Sequence, residues 1–185
     1  EPIGKQDQYA ASYGDFNYIR FNKDETVFME HKVLKPERKL QLERNLLMFY
    51  VAKERRASVI LSEQKNNMKK NEKFEIVRKM VELTEKIKKS LNEGDINIFG
   101  RILHEGWLLK KELTDSISNP MFDRYYERAL KAGALGGKLL GAGGGGFFLF
   151  YCEQKYHSDL RRALGLRELE FKFESEGTKI LFTGQ

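Results

Sequence analysis

Residues Lys138–Phe150 read KLLGAGGGGFFLF, and five of the six residues from Gly141 to Gly146 are glycine. Apolar runs flank them, Leu139–Leu140 on one side and Phe147–Tyr151 on the other. Glycine loses more backbone freedom on folding than any other residue, so a chain that keeps five together needs backbone very close to something. Two readings follow. The backbone N–H groups wrap an anion such as a ligand phosphate, or the loop is a glycine-rich bend between two buried strands. GxxxxGK[ST] is absent. Gly141, Gly143 and Gly146 satisfy GxGxxG, but that fingerprint must follow a strand and open a helix. Here an apolar run suited to a buried strand comes next, which argues against a dinucleotide-binding turn.

Working outward, strands are expected at 138–140 and 146–152, joined by the glycine loop. Before them, Asn119-Pro120 reads as a helix cap and first-turn proline, opening a helix that ends near Gly133. Phe74, Val77, Met80, Leu83, Ile87 and Leu91 recur at helical steps up to Gly94, and Asp95 can cap the next helix, with Ile96, Phe99, Leu103 and Trp107 on one face. Arg55–Gln64 reads as a further helix. Leu46–Ala52 is a short apolar run suited to a central strand. Nearer the start, a short helix over Gly4–Tyr13 is closed by Gly14. Strands Phe16–Phe21 and Val27–Leu34 surround a turn at Asn22-Lys23-Asp24, and Pro36 opens a helix through Arg44. After the glycine loop, Gln154–Leu164 is helical. Leu169, Phe171 and Phe173 alternate with charged residues and read as one arm of a hairpin whose other arm is Thr178–Thr183. Strands, then helices, then strands indicate an α+β fold, a mostly antiparallel sheet with helices packed on one face.

With 185 residues, 41% hydrophobic and 32% charged, the chain can bury one sizeable core. No apolar run approaches the roughly 20 residues that span a bilayer. A single cysteine, Cys152, excludes an internal disulfide and suits a reducing cytoplasm. It lies at the end of an apolar strand, as a small buried residue does. His31, His104 and His157 lack paired ligand spacing, which argues against a His/Cys metal site. The net charge of +6 matches the excess in residues 53–89, twelve Lys/Arg against six Asp/Glu. Interleaved acids at helical period make that segment a solvated face rather than a polyanion site.

The glycine loop, as GGKLLGAGGGGFFLF, resembles the C-terminal glycine-rich motif of the GHMP kinase superfamily, the galactokinase, homoserine, mevalonate and phosphomevalonate kinases. EPIGKQDQYAASYGDFNYIRF, at the other end of the chain, resembles the segment that carries the family's acidic catalytic residue in the form G-x-Q-D-Q. FGRILHEGWLLKKEL and SNPMFDRYYERALKAGALGGKLLGAGGGG lie between them in the family's order. That order is most similar to the bacterial D-glycero-D-manno-heptose 7-phosphate kinases. The resemblance implies a ferredoxin-like C-terminal domain over 23–185, preceded by the end of the catalytic N-terminal region over 1–22. It implies ATP and Mg2+ as cofactors, and a sugar or sugar phosphate as the acceptor, a heptose phosphate hydroxyl foremost. Members of the family carry a P-x-x-x-G-L-G-S-S loop that holds most of the nucleotide and metal. The loop does not occur in these residues, so the chain reads as the C-terminal part of a longer kinase, inactive alone.

The resemblance assigns Asp7 as the catalytic carboxylate and Gly141, Ala142, Gly143, Gly144, Gly145 and Gly146 as the phosphate loop. Phosphoryl transfer to an alcohol needs a carboxylate to orient or deprotonate the hydroxyl; an acid in the first turn of a helix is the structural alternative. Lys5 can offset phosphate charge, and Gln6, Gln8 and Tyr9 can bond sugar hydroxyls. Arg55 can hold a phosphate bidentately, or pair with a surface glutamate. Lys110 and Lys111 follow Trp107 by three and four residues, so one shares its face. A tryptophan–lysine wall suits a sugar phosphate, and equally a helix packed on the core. A metal site within this chain, a membrane and a nucleic-acid partner are not expected. Two rival readings are a ferredoxin-like RNA-binding module and a kinase-like scaffold without catalysis. The first requires K/R-G-F/Y-G/A-F-V-x-F/Y with exposed alternating aromatics, whereas Phe147–Tyr151 reads as buried. The oligomeric state is not legible.

Overall fold

The computed structural model describes residues 5–31, 34–52, 57–67, 71–142, 144–179 and 181. Its main sheet has four strands: β3 (Leu46–Ala52), β4 (Ala134–Leu139), β5 (Gly146–Cys152) and β6 (Glu168–Leu169). They lie in the order β4-β5-β3-β6, and each neighbouring pair is antiparallel. A separate hairpin pairs β1 (Tyr18–Phe21) with β2 (Val27–Glu30). Between β3 and β4 run α3 (Ala57–Asn67), α4 (Asn71–Asn92), α5 (Asn97–Lys111) and α6 (Pro120–Lys131). Two short helices, α1 (Gln6–Tyr13) and α2 (Pro36–Arg44), precede them, and α7 (His157–Leu164) leads to β6. The architecture is α+β with an antiparallel sheet, as the sequence pattern predicts.

The apolar run of β5 lies in the middle of this order because both of its faces are covered. Phe148, Phe150 and Cys152 join one cluster with Leu47, Phe49, Val51, Trp107, Ile117, Phe122, Tyr126 and Leu160. The alternate residues Leu149 and Tyr151 meet Leu42, Leu46, Leu91, Ile96 and Phe99. Phe148 stacks on Phe150 at 5.1 Å and takes the edge of Trp107 at 5.9 Å and of Phe122 at 6.0 Å. Burying each such ring stabilises the fold by about 1.5–3 kcal/mol. Cys152 is fully buried, and burial pushes its thiol up to about 11.

Local signals set the helix boundaries. Asn119 caps α6, its side chain accepting from the N–H groups of Met121 and Phe122, with Pro120 at the first position. Asp95 accepts from the N–H of Asn97 at 2.9 Å where α5 begins.

Three expectations change. The strand expected at 138–140 begins at Ala134, because Gly136 and Gly137 belong to it rather than breaking it. A Cβ on Gly136 would lie 2.0 Å from the carbonyl oxygen of Gly100 in α5, and one on Gly137 would strike the Phe150 ring at 2.5 Å. The strand Val27–Leu34 ends at Glu30. The C-terminal hairpin does not form among the described residues, and half of Thr178–Thr183 lies outside them. Beyond β6 the chain turns to α1 instead. Asp15 N–H donates to the Glu174 carbonyl at 2.7 Å, Thr178 N–H to the Ser12 carbonyl at 3.2 Å, and Phe173 N–H to the Glu43 carboxylate at 2.7 Å.

Candidate active site

α1 has no buried residue, so tertiary contacts hold it in place. Gly14 ends it at φ +60°, and its N–H closes on the Ala10 carbonyl. The backbone of Glu176 and Gly177 runs against that end closely enough that a Cβ on Gly14 would lie 2.3 Å from the Glu176 carbonyl carbon. Tyr9 stacks on Tyr13 at 6.4 Å and meets the edge of Phe21 at 5.6 Å. Asp15, just beyond the helix, is half-buried and pairs with Lys39 at 2.7 Å. The exposed carboxylate of Asp7, in the first turn, is thus carried on a helix fastened at its far end.

The glycine loop is tied at three points. Leu140 N–H donates to the Phe147 carbonyl at 2.8 Å and closes the hairpin. Gly144 N–H donates to the Ile117 carbonyl at 3.0 Å, which fastens the loop to the 3-10 turn Asp115–Ile117. Lys110 Nζ donates to the Gly141 carbonyl at 2.7 Å and joins the loop to the end of α5. Gly141 and Gly144 sit at φ +69° and +76°, where side chains are strained. Gly143 lies outside the described residues; Gly144, Gly145 and Gly146 are buried, and Ala142 is half-buried.

Lys138, on β4 immediately before the loop, connects these two parts. Burial lowers the proton affinity of its ammonium, and the negative charge of Asp7 raises it. Asp7 is therefore within electrostatic reach of the strand that leads into the glycine loop. The ammonium of Lys110 is pushed down to about 8, first by burial and then by repulsion from Lys138. Both lysines line a cavity of about 170 Å³ between α4 and α5, with Met80, Leu83, Leu103 and Trp107 among its walls. A second cavity of about 220 Å³, beneath the β1–β2 hairpin, is lined by Gln6, Phe16, Tyr18 and Lys88. Thr84 and Ile87 line both cavities, so the two adjoin along α4.

The sequence-derived candidates divide accordingly. Lys110 and Trp107 share a cavity with Lys138, which leads into the glycine loop; Gln6 borders the adjoining cavity, and the charge of Asp7 acts on Lys138. Lys5 and Gln8 are exposed on or beside α1, and Tyr9 packs with its aromatic neighbours. Lys111 turns aside to pair with Asp123 at 3.0 Å. Arg55 and Arg56 lie outside the described residues. Trp107 is 1% exposed and belongs to the core, yet its Nε1–H has no acceptor among the described residues. Sequence reasoning passed over Lys138. Its signal is a lysine standing alone in the otherwise apolar and glycine-rich ALGGKLL.

The chain is similar to several known proteins. Residues 87–167 match the family model described as GHMP kinases C terminal. The chain is 30% identical over 179 residues to D-glycero-alpha-D-manno-heptose 7-phosphate kinase of Campylobacter jejuni, covering 95% of this chain and 53% of that protein. It superposes on a D-glycero-D-manno-heptose 1-phosphate kinase from Bacteroides thetaiotaomicron with a TM-score of 0.65 at 27% identity, over 97% of this chain and 50% of that one. With Leishmania major mevalonate kinase it shares the fold, at a TM-score of 0.69 and 14% identity over 86% of this chain and 47% of that one. The chain thus spans about half the length of these relatives. Across residues 87–167 it carries a GHMP kinase C-terminal domain, the one whose glycine loop, α5 and β4 build the site described above.

Proposed function

We propose that this chain is the C-terminal part of an ATP-dependent sugar-phosphate kinase, acting on a hydroxyl of a heptose phosphate. The observation that carries the reading is the tie of Lys110 to the glycine loop beside Lys138, a strand residue that feels the charge of Asp7 from the other end of the sequence. The donor set suits phosphate: two lysines, and a loop whose left-handed glycines admit an anion against bare backbone. ATP, when bound, supplies the phosphoryl group. The Gly141–Gly146 backbone and the two lysines offset negative charge on phosphate oxygens, and Asp7 orients or deprotonates the acceptor hydroxyl. Mg2+, which binds through one or two carboxylates plus the substrate phosphates, would accompany the nucleotide when it is bound. The RNA-binding alternative gains no support, since Phe148, Phe150 and Tyr151 are buried and offer no stacking platform.

The test is ADP release by the full-length kinase with D-glycero-D-manno-heptose 7-phosphate, compared with mevalonate and galactose. Turnover specific to the heptose phosphate is expected, and the 185-residue chain alone should give none. In the full-length protein Asp7→Asn should lower kcat by about 10²–10⁴-fold, with a smaller change in the KM for sugar and an unchanged melting curve. A kcat within about threefold of wild type, less than 1 kcal/mol of barrier, would return Asp7 to the part of a helix-start acid. Absence of ADP release with every acceptor would overturn the kinase assignment.

A further inference from the structure

The cavity between α4 and α5 has a composition that core packing alone does not account for. Its walls are apolar, with Met80, Leu83, Ile87, Ile102 and Leu103, yet two lysines line it. Lys138 makes no hydrogen bond or salt bridge with a described residue, and Lys110 bonds only the Gly141 carbonyl. Trp107 lines the same cavity and is 1% exposed, and its Nε1–H is the buried side-chain donor that finds no acceptor among the described residues. The charge of Lys138 repels the Lys110 ammonium beside these apolar walls. A small polyanion that accepts hydrogen bonds offsets both charges.

We propose that Lys110 and Lys138 form a cradle for a phosphate monoester dianion at the mouth of the α4–α5 cavity, with Trp107 in its wall. The dianion has the oxygens to accept from both ammonium groups. The tie between Lys110 Nζ and the Gly141 carbonyl places this cradle beside the glycine loop. Two phosphates meet the description: the one an acceptor sugar phosphate already carries, and the terminal one of a nucleotide. The inference rests on the sugar-phosphate kinase reading for the identity of the phosphate, while the cradle itself is tested without turnover.

Trp107 is the single tryptophan of the sequence, so its emission reports on the cradle directly. The 185-residue chain is titrated with inorganic phosphate at constant ionic strength, with chloride as the control. A saturable change in Trp107 emission is expected. It should weaken about tenfold or more in Lys138→Met and in Lys110→Met, equivalent to about 1.4 kcal/mol, and persist in Lys138→Arg, which keeps the charge. Heptose 7-phosphate binding more tightly than inorganic phosphate, with ATP no better, assigns the cradle to the acceptor's phosphate; the reverse assigns it to the nucleotide, and both support it. No saturable change in the wild-type chain, or equal titrations in wild type and the methionine variants, overturns it. The wild-type arm decides even if a methionine variant fails to fold. Because inorganic phosphate needs no catalysis, a failed titration leaves the kinase reading standing, and a failed kinase assay leaves the titration valid.

Discussion

Gly136 of β4 and Gly100 of α5 are in backbone contact: a Cβ built on Gly136 would sit 2.0 Å from the Gly100 carbonyl oxygen and 2.7 Å from the His104 nitrogen. No side-chain rotation relieves a clash with backbone, so any residue larger than glycine must push α5 off the strand. Gly136→Ala is expected to destabilise the chain by about 1–3 kcal/mol or more, and to loosen Lys110, which α5 carries. Thermal denaturation checks it. A melting temperature equal to wild type would show that helix and strand are not pressed together in this way.

Gly144 presents a different constraint. Its φ of +76° is strained for any L-side chain, and its N–H is engaged by the Ile117 carbonyl. Gly144→Val should lose about 1–2 kcal/mol from backbone strain. In the full-length kinase kcat/KM should fall roughly tenfold or more, about 1.4 kcal/mol of barrier, since a β-branched side chain would block approach to the loop. If the valine variant does not fold, Gly145→Ala gives the same reading more gently. Full activity with an unchanged melting curve would reduce the loop to a structural bend.

At the far end of β5, Asn45 is buried and its side-chain amide donates to the Tyr151 hydroxyl at 2.9 Å; that hydroxyl donates to Asn97 Oδ1 at 2.8 Å. Tyr151→Phe removes the shared oxygen and strands the Asn45 amide. The expected loss is about 1–3 kcal/mol. Asn97→Ala in the Tyr151→Phe background should add less than it does alone, because both act on one network. Strict additivity in denaturant titrations would show that the three groups are not coupled.

Lys110 links stability to pH. Burial, then repulsion from Lys138, pushes its ammonium down to about 8 from an ordinary value of 10.5. A lysine depressed in the folded state penalises the fold while both states are charged. The penalty is therefore fully present below about pH 8 and fades as pH rises towards 10.5, because the unfolded chain then binds more protons than the folded one. Lys138 is lowered by its own burial, a contribution of the same sign. Relative to wild type, Lys110→Met should gain in melting temperature most near pH 7 and least near pH 10.5. A difference that stays constant across that window would contradict the linkage.

Much of this arrangement is legible in one dimension. The apolar run of β5 announces a buried strand because seven consecutive residues without a charge have few other places to go. Asn119-Pro120 and Gly14 mark helix ends through local backbone chemistry that needs no partner. The glycine loop and Asp7 stand out through their resemblance to a known kinase pattern. Less was visible at Gly136 and Gly137, which fall outside the strand expected at 138–140 although they are strand residues kept small by α5 and by Phe150. Phe171 and Phe173 alternate as a strand does, but pack in T-shaped contact at 6.0 Å on the smaller cluster, and the backbone around them bonds to Asp15 and Glu43 instead of to a hairpin partner.

By itself the sequence determined the class of fold, the order of its elements and the glycine hairpin, because these depend on periodicity, capping and glycine's conformational freedom. Which groups stand together was decided only by the tertiary structure. Lys138 becomes notable because β4 carries it to the same cavity as Lys110 and into the field of Asp7, and Trp107 because burial among Phe148 and Tyr126 leaves its Nε1–H without an acceptor among the described residues. Burial and the proximity of distant charges are properties of packing between segments, and no local pattern encodes them.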